Sequence, residues 1–98
     1  MKINKTKNDN VMMIAVSGRL ETTTAPELEA VVKSELDGIT DLTFDFSELD
    51  YISSAGLRVI LTAQKKMNSQ GTMKVTGANE IVREIFDITG FSEILTIE

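Results

Sequence analysis

The sequence predicts an α/β fold: a mixed, mostly parallel sheet of four to five strands that opens on an antiparallel hairpin and has helices packed on it. Three observations carry this. Two strand-like runs, KINKTK at 2–7 and VMMIAV at 11–16, are separated only by the turn residues Asn8-Asp9-Asn10, which makes a hairpin the simplest link. Beyond them, strand-period segments alternate with helix-period segments, the pattern of right-handed crossovers and a largely parallel sheet. Finally, 98 residues with 42% hydrophobic and 26% charged side chains fit one compact domain and argue against disorder.

In chain order, residues 2–7 alternate weakly and carry three lysines, as an edge strand does to discourage pairing with other chains. Residues 11–16 are almost wholly apolar and belong inside the sheet. Gly18 to Thr23 reads as a polar loop. Thr24 with Glu27 has the spacing of a capping box, and Pro26 falls in the first turn, where proline is tolerated. Leu28, Val31, Val32 and Leu36 then give a buried helical stripe that ends near Asp37-Gly38, with Glu27, Glu29 and Glu35 on its solvated face. Leu42, Phe44 and Phe46 alternate with Thr43 and Asp45, the period of a strand. After the helix that follows, Asn68 to Gly71 makes a turn and Thr72 to Thr76 a short strand. Asn79 can cap a last helix that points Val82, Ile85 and Phe86 inward and stops at Gly90. Residues 94–97 fit either a final short strand or a tail packed on the sheet.

The stretch LTFDFSELDYISSAGLRVILTAQKKM, residues 42–67, organises the rest. Leu57, Ile60, Leu61 and Met67 share one helical face with Ala63 beside them, and Arg58, Thr62, Lys65, Lys66 and Ser69 recur on the other. Ser53 and Ser54 stand where a helix N-cap belongs, and Gly56 permits close backbone approach. Capping a helix is one role for these serines. The other follows from the free N–H groups and positive dipole end of a helix start, which accommodate an anion such as a phosphate on serine. Function in parallel sheets gathers at the carboxyl ends of strands. The ends of strands 11–17 and 42–46 therefore predict one shared surface for Glu21, Thr22, Thr23, Asp45, Ser53 and Ser54.

DFSELDYISSAGLRVIL resembles the signature of the STAS domain in its anti-sigma-factor antagonist branch: a strand ending Asp-hydrophobic-Ser, a hydrophobic pair, then Asp-Ser-Ser/Thr-Gly-Leu and an apolar helix. Two further blocks agree in order. Gly18-Arg19-Leu20-Glu21 with Thr22-Thr23-Thr24-Ala25 resembles the family's Gly-x-Leu-Asp-x-x-x-Ala segment, with Glu21 for Asp, and Ile85-Phe86-Asp87-Ile88-Thr89-Gly90-Phe91 resembles its Phe-Asp-hydrophobic-Ser/Thr-Gly-Leu segment. The resemblance implies a STAS fold in a single domain over 1–98. It also implies a phosphorylated serine two residues before the glycine, which is Ser54. Ser53 stands where the family commonly has Asp and is the alternative position.

The same resemblance implies a phosphorylation-switched anti-sigma factor antagonist. Its partners would be an anti-sigma factor with ATP-dependent serine kinase activity, captured while Ser54 is unphosphorylated and released afterwards, and a metal-dependent serine phosphatase that resets the switch. ATP would belong to the kinase, so no cofactor is expected on this chain. The expected contact surface comprises Glu21, Thr22, Thr23, Asp45, Ser53, Ala55, Gly56, Leu57 and Arg58, with an apolar edge near Leu57 and Val59. The competing reading is a constitutive STAS subunit of a lipid transporter or a signalling scaffold.

Residue chemistry disfavours catalysis. There is no His to serve as the base a seryl nucleophile needs, and no Ser-x-x-Lys, Gly-x-Ser-x-Gly or phosphate-loop motif. The acids are scattered without calcium-loop spacing, so no metal site is expected. The absence of Cys agrees with a reducing compartment. A net charge of −5 opposes attraction to nucleic acid or anionic membrane, and Lys65 and Lys66 are too few to reverse it. No apolar run reaches the length of a membrane span, and MKINKTKNDN lacks the core of a signal peptide, so a cytoplasmic location is expected.

Overall fold

A computed structural model describes residues 1–98. Strands β1 (Lys2–Asn8) and β2 (Val11–Leu20) form the antiparallel hairpin. Asp9 turns it with φ 57°, a left-handed conformation that a short polar side chain tolerates. Helix α1 (Ala25–Glu35) leads to β3 (Asp41–Asp45), then β4 (Leu49–Ile52), α2 (Ser54–Asn68), β5 (Thr72–Thr76) and α3 (Glu80–Thr89), with a 3-10 turn at Phe91–Glu93.

The sheet order is β1-β2-β3-β5, and β4 pairs with β2 off this path. All pairings after the hairpin are parallel, as a strand–helix–strand chain requires. Strand β2 is shared: Val11 to Ala15 pair with β3, whereas Gly18 to Leu20 pair with β4 across a bulge. Alternation sends Met12, Ile14 and Val16 into the core and leaves Val11 and Met13 exposed, so the sheet has one covered face and one open face. On the covered face, Phe44, Phe46 and Phe86 are fully buried. Their rings step from β3 to α3 with centroids 5.8 and 6.5 Å apart, a spacing typical of favourable aromatic pairs.

Helix α3 starts as its sequence directs. The Asn79 side-chain oxygen accepts from Val82 N at 2.8 Å, while its amide donates to Leu49 O at 3.0 Å, so one residue both caps the helix and moors it to β4. Gly90 ends α3 with φ 82°, which glycine adopts at little cost. The C-terminal residues form a packed tail with one bridge: Leu95 is buried and Ile97 pairs with Val75.

The structure corrects four expectations. Residues 18–20 continue β2 because their backbone pairs with β4, and Leu20 is buried. Strand β4 (Leu49–Ile52) lies between β3 and the serine turn, where no strand was expected. The capping box at Thr24 does not form, because the Thr24 hydroxyl points back into the preceding turn. It donates to Arg19 O at 2.8 Å and accepts from Glu21 N at 2.9 Å. Val31 is only half-buried, so Ala25, Leu28, Val32 and Leu36 carry the inner face of α1.

Candidate functional site

The site is built where β2 and β4 end side by side and α2 begins. Ser53 N donates to Leu20 O at 2.9 Å, which ties the start of α2 to the end of β2. Gly56 makes that closeness possible: a Cβ there would stand 2.8 Å from both Ile52 Cγ1 and Leu20 Cγ and 3.0 Å from Leu20 O. Any larger residue would push the first turn of α2 away from the strands.

The two serines stand in different environments. Ser53 is the N-cap: its backbone is extended and its hydroxyl accepts from Gly56 N at 3.5 Å. Ser54 is the first helical residue, exposed, with its hydroxyl taking no part in the cap. A phosphate on Ser54 would sit beside the free N–H groups and the positive end of a helix of 15 residues, which stabilises negative charge.

Two shallow clefts flank this turn. Thr22, Pro26 and Glu29 meet Ala55 and Arg58 in one, of about 180 Å³ between α1 and α2. The other, about 320 Å³ between α2 and the end of α3, is lined by Ser54, Leu57, Arg58, Leu61, Thr89 and Phe91. Arg58 borders both, and being exposed and outside every ion pair of the chain it is free to meet a partner.

The other expected residues distribute around these clefts. Thr22 and Thr23 form the exposed tip of the β2–α1 turn. Glu21 is held by Arg19 at 2.6 Å, and the Arg19 guanidinium lies 4.6 Å from the centre of the Tyr51 ring, a cation–π distance. Asp45 lies outside both clefts. Its carboxylate accepts from Ser47 N at 3.0 Å and so shapes the β3–β4 turn. Gly56, Leu57 and Val59 are buried, so the apolar edge expected at Leu57 and Val59 faces mainly inward, because α2 leans on β4 and β5. Leu61, one turn beyond Leu57, is the more open apolar residue.

Sequence reasoning missed Thr89 and Phe91. Both fall in the Phe-Asp-Ile-Thr-Gly-Phe block, but only the packing of α3 against β4 brings that block to Ser54. No cluster of acids is grouped to hold a metal ion, and no helix is long and apolar enough to cross a membrane.

Comparison with known proteins gives this geometry a family. The STAS domain model matches residues 2–98. The candidate anti-sigma factor antagonist BtrV of Bordetella bronchiseptica is 35% identical over 99% of this chain and 85% of its own length. Among solved structures, an anti-sigma factor antagonist from Mycobacterium paratuberculosis superposes with a TM-score of 0.87 at 23% identity, covering 98% of this chain and 83% of that one. The phosphorylated form of the Bacillus cell fate determinant SpoIIAA superposes at 0.77 with 14% identity, over 99% of this chain and 91% of that one. These two share the fold, a five-stranded α/β sheet with an N-terminal hairpin. By the full-length match and the identity to BtrV, the chain belongs to the STAS domain family.

Proposed function

We propose that this chain is an anti-sigma factor antagonist: a binding protein, not an enzyme, that captures an anti-sigma factor with serine kinase activity while Ser54 is bare and releases it once Ser54 is phosphorylated. The observation that carries the reading is the contrast between the serines. Ser53 is occupied as the cap, whereas Ser54 presents an uncommitted hydroxyl at a helix start. The relationship to BtrV supports the antagonist class, and the similarly folded SpoIIAA has been solved in a phosphorylated form.

Phosphorylation would add about −1.5 to −2 charge at pH 7. The helix start favours that charge, so the fold survives and the effect falls on the partner surface. There, a partner packed on Thr22, Ala55, Arg58 and the bare hydroxyl would have to bury a dianion, and capture fails. A metal-dependent serine phosphatase, acting with the kinase in the cytoplasm, would restore the hydroxyl.

The test is calorimetric titration of the purified chain, bare and phosphorylated at Ser54, into the histidine-kinase-like ATPase encoded nearest to it. Nanomolar to micromolar capture by the bare form, weakened at least tenfold by phosphate, supports the proposal. Capture indifferent to the phosphate would make the chain a constitutive STAS module of a transporter or scaffold.

A further inference from the structure

Ser54 and Arg58 stand one turn apart on α2, both exposed, and line the same cleft of about 320 Å³ beside the end of α3. Side chains four residues apart on a helix are neighbours, with about 5–6 Å between their Cβ atoms. Helical side chains also lean toward the N-terminus, which carries the Arg58 guanidinium back over Ser54.

No other group in the cleft can answer a charge placed there. Arg58 is its one charged residue; Leu57, Leu61 and Phe91 are apolar, and the Thr89 hydroxyl donates to Ile85 O at 2.6 Å. At the end of β2, Arg19 is already held by Glu21 at 2.6 Å. Arg58 enters none of the five ion pairs of the chain. In the α1–α2 cleft it meets Glu29, which has Lys33 at 3.9 Å. A phosphate dianion one turn away on the same helix attracts Arg58 more strongly than a single carboxylate that has its own cation.

We propose that Arg58 is the counter-ion of the Ser54 phosphate: once Ser54 is modified, the guanidinium turns onto the phosphate oxygens and is withdrawn from the surface. The inference rests on the Ser54 reading above and adds a second change to it. Phosphorylation adds a dianion and removes an accessible cation in one step, so a carboxylate that could meet Arg58 on the bare chain finds it occupied. The planar fork of arginine suits two phosphate oxygens at once, which a lysine ammonium does not.

The test reads the phosphate itself, with no partner present. Phosphoserine is installed at position 54 during translation, and phosphorus NMR follows its second ionisation, ordinarily at about pH 6, in the full chain and in three variants with unchanged melting curves. A neighbouring cation favours the dianion and lowers that pKa. Arg58→Gln should therefore raise it by about 0.2–0.7 units, the range of an exposed ion pair, and Arg58→Lys should recover part of the difference. Lys65→Gln removes a cation about three turns further along α2 and should change nothing. A phosphate pKa indifferent to Arg58→Gln, or moved equally by Lys65→Gln, overturns the pairing. Kinase-driven uptake on the bare chain, measured alongside, separates the two readings. Uptake at Ser54 with no Arg58 effect overturns the pairing alone, whereas an Arg58 effect without uptake by an active kinase overturns the switch and the part of Arg58 in it.

Discussion

Replacing Gly56 with Ala tests the junction that positions Ser54. The added methyl carbon would lie 2.8 Å from Ile52 Cγ1, 2.8 Å from Leu20 Cγ and 3.0 Å from Leu20 O. Carbon atoms in good contact sit about 3.5–4.0 Å apart, so the neighbours must yield by roughly 0.7–1.2 Å. They have little room to do so. Ile52 is 1% exposed, Leu20 is 0% exposed, and Leu20 O is held by Ser53 N at 2.9 Å. Overpacking of this kind costs about 1–3 kcal/mol, and with three contacts, one of them to backbone, the upper end applies. Ala gains about 1 kcal/mol over Gly in a helix, which leaves a net loss of about 2 kcal/mol. For a domain of this size about 4–8 °C is lost per kcal/mol, so the melting temperature should fall by roughly 8–16 °C. Thermal denaturation followed by circular dichroism measures it. A melting temperature equal to or above that of the wild type would refute the close approach of α2 to β2 and β4.

Three further substitutions probe the same framework. Ser53→Ala removes a long cap bond and should cost about 0.5–1 kcal/mol, whereas Ser54→Ala should stay within about 0.5 kcal/mol of wild type; urea denaturation of the pair separates the cap from the exposed hydroxyl. Asn79→Ala loses both the cap on Val82 and the bond to Leu49 O, for about 2–3 kcal/mol, while Asn79→Asp keeps the cap and should lose less in the same assay. Asp37 is held below its ordinary pKa by a hydrogen bond and charge attraction from Lys66, whose Nζ lies 2.8 Å away. Because the folded pKa is depressed, this contribution is present above the unfolded value and disappears as pH falls through the folded one. NMR titration of Lys66→Met should show the Asp37 carboxyl titrating at higher pH than in the wild type; an unchanged Asp37 titration would refute the pairing.

How much of this was legible in the sequence depended on how local the cause was. Strands β3 and β5 and helices α2 and α3 are set by the period of their own apolar residues and by cap chemistry within a turn, as at Asn79 and Gly90, and all four were predicted. Strand β4 was not, because four residues are too few to show a period and its pairing partner lies about thirty positions earlier in β2. The same long-range pairing turned Gly18-Arg19-Leu20 from expected loop into strand. At Thr24, two roles competed for one hydroxyl, and the turn at Glu21 won over the helix N–H groups. In the site, Ser54, Ala55 and Arg58 follow from one helix and Thr22 from strand-end logic. Asp45 shares the right end of the sheet but spends its carboxylate on Ser47. Thr89 and Phe91 reach Ser54 only through the packing of α3 on β4, which no local pattern encodes.

If Ser54 is the switch, intact mass with fragmentation will find the phosphate there. The purified chain is incubated with ATP and the kinase-like ATPase encoded nearest to it, with the activity of that kinase confirmed independently. One added phosphate is expected, placed by fragmentation on Ser54 and lost in Ser54→Ala. A phosphate on Ser53, or no addition by an active kinase, would contradict it.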